Sequence, residues 1–429
     1  MESAAVEMMG WAGRQKDYIP TIQMKSGLMM AQSSLQKIFS GYLKNGKLFL
    51  SKDPLAMSYD PLMIMHRDRQ MELVASILAP CLRNEKPSNT FVYGKTGTGK
   101  TLCVRHVVSE LTKTAAENSV QVKTVFINCK MKKIADTEYR VLAQLCKEFG
   151  YDVPATGLPT SRLYEIFYES LDAQKQNVLL ILDEIDALVS KVGDSILYNL
   201  TRVNQDLVNA KLTLIGVTND LSFSETLDPR VKSSLNEEEI VFPPYNALEL
   251  RDILSERAKL TFISGGVKEG VIQKCAALAA QEHGDARRAL DLLRVAGEIA
   301  ERNGEQFLDE SHVDKAQEKI NVDRILETVR TQPRQSQAIL WAVTNNQNQN
   351  QTTGETYERY KEVCKKRGLE VLGSRRASDL ISELGMLGIL SVHTTSKGRH
   401  GRTKEINLLV SKQTLGNMVE MLKKDFYFE

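Results

Sequence analysis

A glycine-rich stretch at residues 90–101 contains the residue types that bind phosphate groups. It carries the pattern Gly-x-x-x-x-Gly-Lys-Thr between an apolar run and a helical repeat of apolar residues, so main-chain N–H groups and a helix start can surround one anion. We predict that Lys100 reaches the outer phosphates of a nucleotide and that the Thr101 hydroxyl binds Mg²⁺. The candidate nucleotide-binding residues are Gly94, Lys95, Thr96, Gly97, Thr98, Gly99, Lys100, Thr101 and Tyr245.

Two carboxylates and an amide follow later apolar runs. Asp183 and Glu184 come directly after residues 178–182, and Asn219 follows shortly after residues 212–217. We predict that Asp183 holds Mg²⁺ and that Glu184 orients or deprotonates an attacking water. Asn219 can hydrogen-bond a γ-phosphate or that water, although a single amide at such a position is more typical of a turn. The predicted chemistry is nucleotide hydrolysis.

Two arginines complete the set of candidate catalytic residues. Arg230 lies in Asp-Pro-Arg-Val-Lys, outside the expected sheet edge, where its charge can serve this nucleotide or that of a neighbouring subunit. Arg287 begins a helix whose other face is apolar, which leaves its guanidinium able to reach a phosphate. An exposed arginine is otherwise usually only solvated.

Five short apolar segments, separated by helical stretches, position these residues. Such alternation predicts a mostly parallel sheet with helices on both faces and a ligand at the carboxyl ends of its strands. Two consecutive prolines, Pro243 and Pro244, then end the sheet domain and precede a small helical lid. The predicted strands are residues 91–93, 124–128, 178–182, 212–217 and 240–242.

The composition limits the partners and the compartment. The 429 residues include 56 basic and 54 acidic ones, so any nucleic-acid surface must arise from local clustering of charge. Six scattered cysteines without a Cys-x-x-Cys pair indicate a reducing compartment rather than zinc or disulfides. No apolar run approaches a membrane span, and the N-terminus has no signal-peptide pattern. We therefore expect a cytoplasmic protein without a membrane partner.

The C-terminal third contains three predicted helices and a basic hairpin. The helices are residues 333–344, 353–366 and 374–384, and the strands are residues 390–392 and 406–410. This arrangement is typical of a winged helix, whose third helix enters the major groove of DNA while the wing meets phosphates. A basic hairpin can also be only a soluble turn. The candidate DNA-binding residues of this part are Arg375, Arg376, Lys397, Arg399, Arg402 and Lys404.

The motifs and their order resemble those of AAA+ ATPases. More narrowly, Tyr-Gly-Lys-Thr-Gly-Thr-Gly-Lys-Thr (93–101), Leu-Asp-Glu-Ile-Asp (182–186) and Asp-Pro-Arg-Val-Lys-Ser-Ser (228–234) resemble archaeal replication initiators of the origin recognition complex subunit 1 / cell division control protein 6 type. The resemblance implies Walker A and B motifs, sensor 1 at Asn219, an arginine-finger region at Arg230 and sensor 2 at Arg287. Several members carry an arginine where this chain has Ser234.

The resemblance also implies ligands and partners. The ligands are ATP or ADP with Mg²⁺. The partners are double-stranded origin DNA, the replicative helicase and other initiator copies, and the protein is expected to be cytoplasmic and associated with the nucleoid. Hydrolysis is expected to be slow and to act as a switch, which makes the chain at most a weak ATPase. In this family an insertion after the second strand touches DNA. Its basic residues here are Lys130, Lys132, Lys133 and Arg140.

The expected fold class is α/β: an AAA+ parallel-sheet nucleotide-binding domain with a helical lid, followed by a winged-helix DNA-binding domain. The expected divisions are a poorly ordered extension (1–58), the sheet domain with its insertion near 130–150 (59–246), the lid (247–320) and the winged helix (321–429). One alternative function is a clamp-loader-like or motor ATPase whose winged helix binds protein. Another is a nucleotide-locked regulator without turnover, against which the intact Glu184 argues.

Overall fold

A five-stranded parallel sheet forms the first half of the molecule. The computed structural model describes residues 47–131, 135–154, 156–235, 237–344, 351–396 and 402–426. The strand order is β2-β3-β4-β1-β5, and every neighbouring pair is parallel. This confirms the predicted sheet. The strands are β1 (Asn89–Tyr93), β2 (Val122–Asn128), β3 (Asn177–Asp183), β4 (Lys211–Thr218) and β5 (Glu237–Val241).

Eight helices accompany the described part of this sheet. Because successive side chains of a strand point to opposite faces, Phe91 and Tyr93 of β1 enter one core while Val92 enters the other. Both faces are therefore apolar, as expected of a parallel sheet. The helices are α1 (Asp68–Leu78), α2 (Lys100–Glu117), α3 (Glu138–Glu148), α4 (Thr160–Leu171), α5 (Ile185–Val192), α6 (Ser195–Arg202), α7 (Phe223–Thr226) and α8 (Pro229–Leu235).

The lid begins immediately after the two prolines and consists of α9 (Ala247–Thr261), α10 (Val271–Gln281) and α11 (Ala286–Arg302). Asn246 caps α9 by accepting hydrogen bonds from two main-chain N–H groups of its first turn, which fixes the point where the helix starts. The first turn of α11 is capped in the same way by Asp285.

The segment before residue 59 differs from expectation where the structure describes it. Leu48, Phe49 and Leu55 are buried in the lid core, and the Phe49 and Phe262 rings lie 4.8 Å apart. The Leu50 N–H also donates to the Thr261 carbonyl at 2.7 Å. Residues 47–58 are therefore part of the lid rather than of a poorly ordered extension. The rest of that expected extension, residues 1–46, lies outside the described residues.

Helix α12 (Glu310–Thr331) connects the lid to the C-terminal part as one uninterrupted helix. Val313 and Ala316 near its start belong to the lid core. Val329 near its end belongs to the C-terminal core. The expected boundary after residue 320 therefore falls inside a continuous helix.

The C-terminal part has the expected winged-helix form. Its three helices are α13 (Arg334–Thr344), α14 (Thr353–Arg367) and α15 (Ser374–Met386), each within two residues of its predicted end. The C-terminal part also contains an antiparallel sheet, whose strand order is β6-β8-β7. A further helix, α16, was not predicted. The remaining elements are β6 (Gln351–Thr352), β7 (Leu390–Ser396), β8 (Arg402–Leu408) and α16 (Lys412–Phe426).

Two further observations concern the cysteines and the helices. All six cysteines are buried free thiols. Burial raises the pKa of the Cys129 thiol to about 12, so this group is unreactive near neutral pH. In the described ranges, every helix is either too short or too polar to qualify as a membrane span.

Candidate nucleotide site and nucleic-acid surface

The glycine-rich loop runs between β1 and α2, as predicted. Gly99 has φ of +88°, a left-handed conformation that glycine adopts without steric cost. At Gly94 a side chain would meet the Phe242 main chain, because an added Cβ would lie 2.5 Å from the Phe242 carbonyl oxygen. Both positions therefore require glycine, and the loop can wrap closely around an anion at the start of α2.

Lys100 is the most tightly held side chain of the loop. Its Nζ donates to the carbonyls of Gly94 (2.7 Å) and Lys95 (2.8 Å) and to Oδ1 of Asn219 (2.8 Å). The structure thus brings together two predicted site residues that are far apart in sequence. Burial lowers the pKa of Lys100 to about 8, with Arg287 acting in the same direction and the Asp183 carboxylate opposing it.

Thr101 and Asp183, both predicted to hold Mg²⁺, also lie close together. The Thr101 hydroxyl lies 3.1 and 3.2 Å from the two carboxylate oxygens of Asp183. Burial raises the pKa of Asp183, while the hydrogen bond from Thr101 lowers it. A hydroxyl and a carboxylate are the oxygen ligands that Mg²⁺ takes when it also binds phosphates and water. The donor set therefore fits a magnesium ion.

Glu184 occupies a strained position beside this pair. Its φ of 54° and ψ of 49° are left-handed, which is uncommon for a residue with a side chain and recurs at functional sites. Its Oε2 lies 3.4 Å from Nζ of Lys130. Lys130, predicted as part of a DNA-touching insertion, therefore lines the nucleotide cleft. Lys132 and Lys133, predicted for the same role, lie outside the described residues.

A cavity of about 570 Å³ lies between the loop, the acidic strand end and the lid. Small-molecule sites commonly measure about 300–1,000 Å³, so a nucleotide fits. One end of the cavity is lined by the loop, Asp183 and Asn219, and thus by hydrogen-bonding groups. The remaining lining includes apolar side chains suited to a base, namely Leu55, Ile64, Ile253 and Leu290.

The lid touches the loop directly. The Ala286 N–H donates to the Gly97 carbonyl at 3.2 Å, and a Cβ added at Gly97 would overlap the Asp285 carboxylate. Arg287, the next residue, is exposed and lines the cavity. Its contact to a phosphate stays a prediction. A movement of the lid must therefore change the surroundings of the loop.

Arg230 stands apart from the cavity in its own chain. It is exposed on α8, and its main-chain N–H donates to Oδ1 of Asp228 at 2.8 Å. It is not among the residues that line the cavity. Ser234, on the same helix, instead shares a hydrogen bond of 3.0 Å with the Thr201 hydroxyl.

Arg67 is a site residue that sequence reasoning missed. Only 2% of its surface is exposed. Its Nε donates to the Thr98 carbonyl at 3.0 Å, and its guanidinium carbon lies 3.7 Å from the centre of the Tyr245 ring. Tyr245 was itself predicted, and burial raises the pKa of its hydroxyl to about 12. The sequence around Arg67 looks like an ordinary charged helix start and gives no signal of burial.

The start of α15 presents two arginines to solvent. Arg375 and Arg376 are both exposed, and Arg376 pairs with Glu383 at 3.3 Å. Lys404, also predicted to bind DNA, has hydrogen-bond partners within the chain. Its Nζ donates to the hydroxyls of Ser382 (2.6 Å) and Ser378 (3.1 Å), so it ties strand β8 to α15.

The remaining predicted DNA-binding residues are only partly covered by the structure. Lys397 and Arg399 lie outside the described residues. Arg402 begins β8 opposite Ser396, but its side chain is also outside them. Arg140 lies on α3 and pairs with Asp136 at 3.4 Å.

Comparison with known proteins gives a consistent result. Three family models match: an AAA domain at residues 83–222, a Cdc6 AAA+ ATPase-type lid domain at residues 251–318 and a CDC6 C-terminal winged helix domain at residues 327–417. An ORC1-type DNA replication protein of Pyrococcus abyssi is 50% identical over 394 residues, which cover 90% of this chain and 93% of that protein.

The chain belongs to the ORC1-type DNA replication protein family. The ORC1-type DNA replication protein 1 of Methanosarcina acetivorans is likewise 48% identical, covering 93% of this chain and 96% of that protein. Among solved structures, that of the Aeropyrum pernix ORC1 protein in complex with DNA is 44% identical, with a TM-score of 0.76 over 89% of this chain and 98% of that one. The predicted resemblance and fold class are thereby confirmed.

Proposed function

We propose that this chain is a DNA replication initiator that binds duplex DNA under the control of a bound nucleotide. One observation carries the proposal: the same chain contains a cavity formed by the glycine-rich loop, the acidic strand end and the lid, and a winged helix with exposed arginines at the start of α15. The similarity to an ORC1 protein solved in complex with DNA supports it.

The nucleotide is ATP or ADP, held together with Mg²⁺. When bound, the nucleotide supplies the phosphoryl group and the metal ion neutralises phosphate charge. Lys100 exchanges its carbonyl partners for the outer phosphates, while Thr101 and Asp183 hold the metal ion. The other members of the loop bind through main-chain N–H groups. Tyr245, which lines the cavity beside Gly99, contacts the nucleotide with its side chain.

Hydrolysis requires a water placed for attack beside the cleft. Glu184 orients that water and accepts its proton, after parting from Lys130, and Asn219 fixes the water or the phosphate. Arg287 contacts the outer phosphate within the same chain. Arg230, which is exposed and not among the residues that line the cavity of its own chain, serves the nucleotide of a neighbouring copy. Slow turnover then acts as a switch rather than as a motor.

The winged helix binds duplex DNA through helix α15 and the wing. Arg375 and Arg376 at the helix start reach base edges in the major groove. Lys397, Arg399 and Arg402 meet phosphates. Lys404 acts indirectly, by holding strand β8 against α15. The basic residues after β2, including Lys132, Lys133 and Arg140, add a second contact to DNA.

Partners and organisation follow from the same proposal. The replicative helicase and further copies of this chain assemble with it on origin DNA. The protein is cytoplasmic and associated with the nucleoid. The chain divides into a sheet domain, a lid that includes residues 47–58, and a winged helix. Helix α12 is shared between the last two.

The test is DNA footprinting across candidate origins of the source genome, with and without ATP, followed by a salt titration. Each neutralised phosphate adds about 0.9 to the slope of log affinity against log salt, so Arg399→Ala/Arg402→Ala should flatten it by up to roughly two units. Lys113→Ala/Arg162→Ala, which removes two exposed cations from the sheet domain, is the matched control. An unchanged slope in the wing variant, without a specific footprint, would favour a winged helix that binds protein.

A further inference from the structure

Arg67 is a buried cation whose hydrogen-bond partners carry no charge. Its three acceptors are main-chain carbonyls: Thr98 at 3.0 Å, Pro243 at 2.6 Å and His66 at 3.5 Å. Among the described residues, none of the carboxylates forms an ion pair with it. Burying a charge without a counter-charge is unfavourable, so its presence needs a compensating anion or a strong structural reason.

The aromatic neighbours of Arg67 compensate only in part. The guanidinium carbon lies 3.7 Å from the centre of the Tyr245 ring and 5.7 Å from that of Phe242. An aromatic face attracts a cation through its quadrupole, but it carries no net charge. These rings flank Pro243, where the chain passes from the sheet into the lid. In the described part of the chain, no ion pair therefore balances the positive charge at this junction of loop, sheet and lid.

The orientation of one peptide group connects this charge to the phosphate site. Arg67 donates to the carbonyl of the Thr98–Gly99 peptide, which is trans, as are all the described peptide bonds. In a trans peptide the N–H points opposite to the C=O, so the Gly99 N–H points away from Arg67. Gly99 lines the cavity. A cation on the carbonyl side polarises this peptide and strengthens its N–H as a donor.

We propose that Arg67 is a positioning residue for nucleoside di- and triphosphates, and that the bound polyphosphate is the counter-charge it lacks. It acts through the Thr98–Gly99 peptide and does not touch the ligand itself. Its second bond, to Pro243, joins the same loop to the entrance of the lid. This inference rests on the proposed nucleotide site and adds a residue that selects for the β-phosphate.

The test compares AMP, ADP and ATP binding in the wild type, Arg67→Met and Arg67→Lys, by competition with a fluorescent ADP. The β-phosphate is the group that the loop surrounds, so the ratio of the AMP to the ADP dissociation constant reports what the loop contributes. We expect Arg67→Met to lower this ratio about tenfold or more while AMP binding changes little. Arg67→Lys keeps the charge and should retain most of the ratio.

Arg69→Met is the matched control, because it removes the same charge two positions further along the chain, at an exposed site in the first turn of α1. Equal weakening of AMP and ADP by Arg67→Met would show a purely structural role and overturn the proposal. So would a collapse of the ratio in Arg67→Lys, which also decides the matter if the Met variant fails to fold. If the wild type binds neither ADP nor ATP, the proposed nucleotide function itself fails, which is a distinct result.

Discussion

The nucleotide cleft and the winged-helix surface use cations in opposite ways. In the cleft, Lys100 and Arg67 are buried, and each donates to three oxygens at fixed positions. On the winged-helix surface, Arg375 and Arg376 at the start of α15 are exposed, and the ion-pair partner of Arg376 among the described residues is Glu383, whose side chain is also exposed. The first arrangement holds charge in place before a ligand arrives, whereas the second leaves it in water.

This difference has a consequence for energetics. Charges in a partly buried site interact strongly, because little water screens them. Charges on an open surface are screened by salt within about 10 Å, and single pairs contribute about 0–1 kcal/mol. Substitutions in the cleft should therefore have large effects that depend on geometry. Substitutions on the winged-helix surface should have smaller effects that add up and depend on salt.

The largest expected effect is that of Glu184→Gln on turnover. The amide keeps the shape of the side chain but cannot accept a proton, so phosphate release should slow by about 10²–10⁴-fold. Nucleotide affinity should stay within a few-fold of the wild type. A colorimetric phosphate assay and a nucleotide titration measure the two quantities, with Glu165→Gln at an exposed position as the control. Wild-type turnover in the Gln variant would remove Glu184 from the mechanism.

The next effect is the loss of nucleotide binding in Lys100→Ala. In the complex, the Lys100 ammonium and a phosphate form a buried charge pair, and removing one partner of such a pair costs ~3–5 kcal/mol. ADP affinity should therefore fall about a hundredfold or more. Lys113→Ala lies on the same helix with its ammonium exposed and should bind normally. Isothermal titration calorimetry of both variants gives the comparison. Equal affinities would contradict the view that the cleft cations are preorganised for phosphate.

A smaller effect is expected for Arg375→Ala on sequence preference. A bidentate contact to a guanine edge contributes about 1–3 kcal/mol of discrimination, so binding to origin DNA should weaken by that amount while binding to random DNA changes little. Fluorescence anisotropy at two salt concentrations measures both. Arg376→Ala is the informative neighbour, because Glu383 already competes for its guanidinium. Equal losses on both DNAs would assign Arg375 to the phosphate backbone.

The smallest effect is a dependence of ADP affinity on pH. Burial lowers the pKa of Lys100 to about 8 in the free protein, and a bound phosphate should raise it again. Binding then takes up a proton above pH 8, so affinity should fall by up to about tenfold per pH unit there. Calorimetry in two buffers of different ionisation enthalpy reads this uptake directly. Proton release at pH 8 would reverse the sign and contradict it.

The cleft was largely predictable because its parts are local or follow from sheet topology. The loop lies between a strand and a helix that are adjacent in sequence. Thr101 and Asp183 meet, and so do Lys100 and Asn219, because parallel strands end at one edge of a sheet. A sequence pattern that predicts parallel strands and locates their carboxyl ends therefore also predicts which residues converge.

The contacts that were not predicted depend on side chains meeting across distant segments. Arg67 reaches Pro243, which is 176 positions away, and neither residue carries a pattern that indicates the other. Lys404 reaches two serines of α15 only because of the way strand β8 lies against that helix. Helix α16 did have a signal, since Leu415, Met418 and Leu422 recur at helical spacing.

Helix α12 has a consequence for how the molecule can be divided. Its 22 residues supply Val313 and Ala316 to the lid core and Val329 to the C-terminal core. A cut after residue 320 would leave each fragment with a broken helix end and with part of the apolar surface of its core exposed to water. No loop therefore separates the lid from the winged helix at this point, and we expect the shared helix to couple the unfolding of the two.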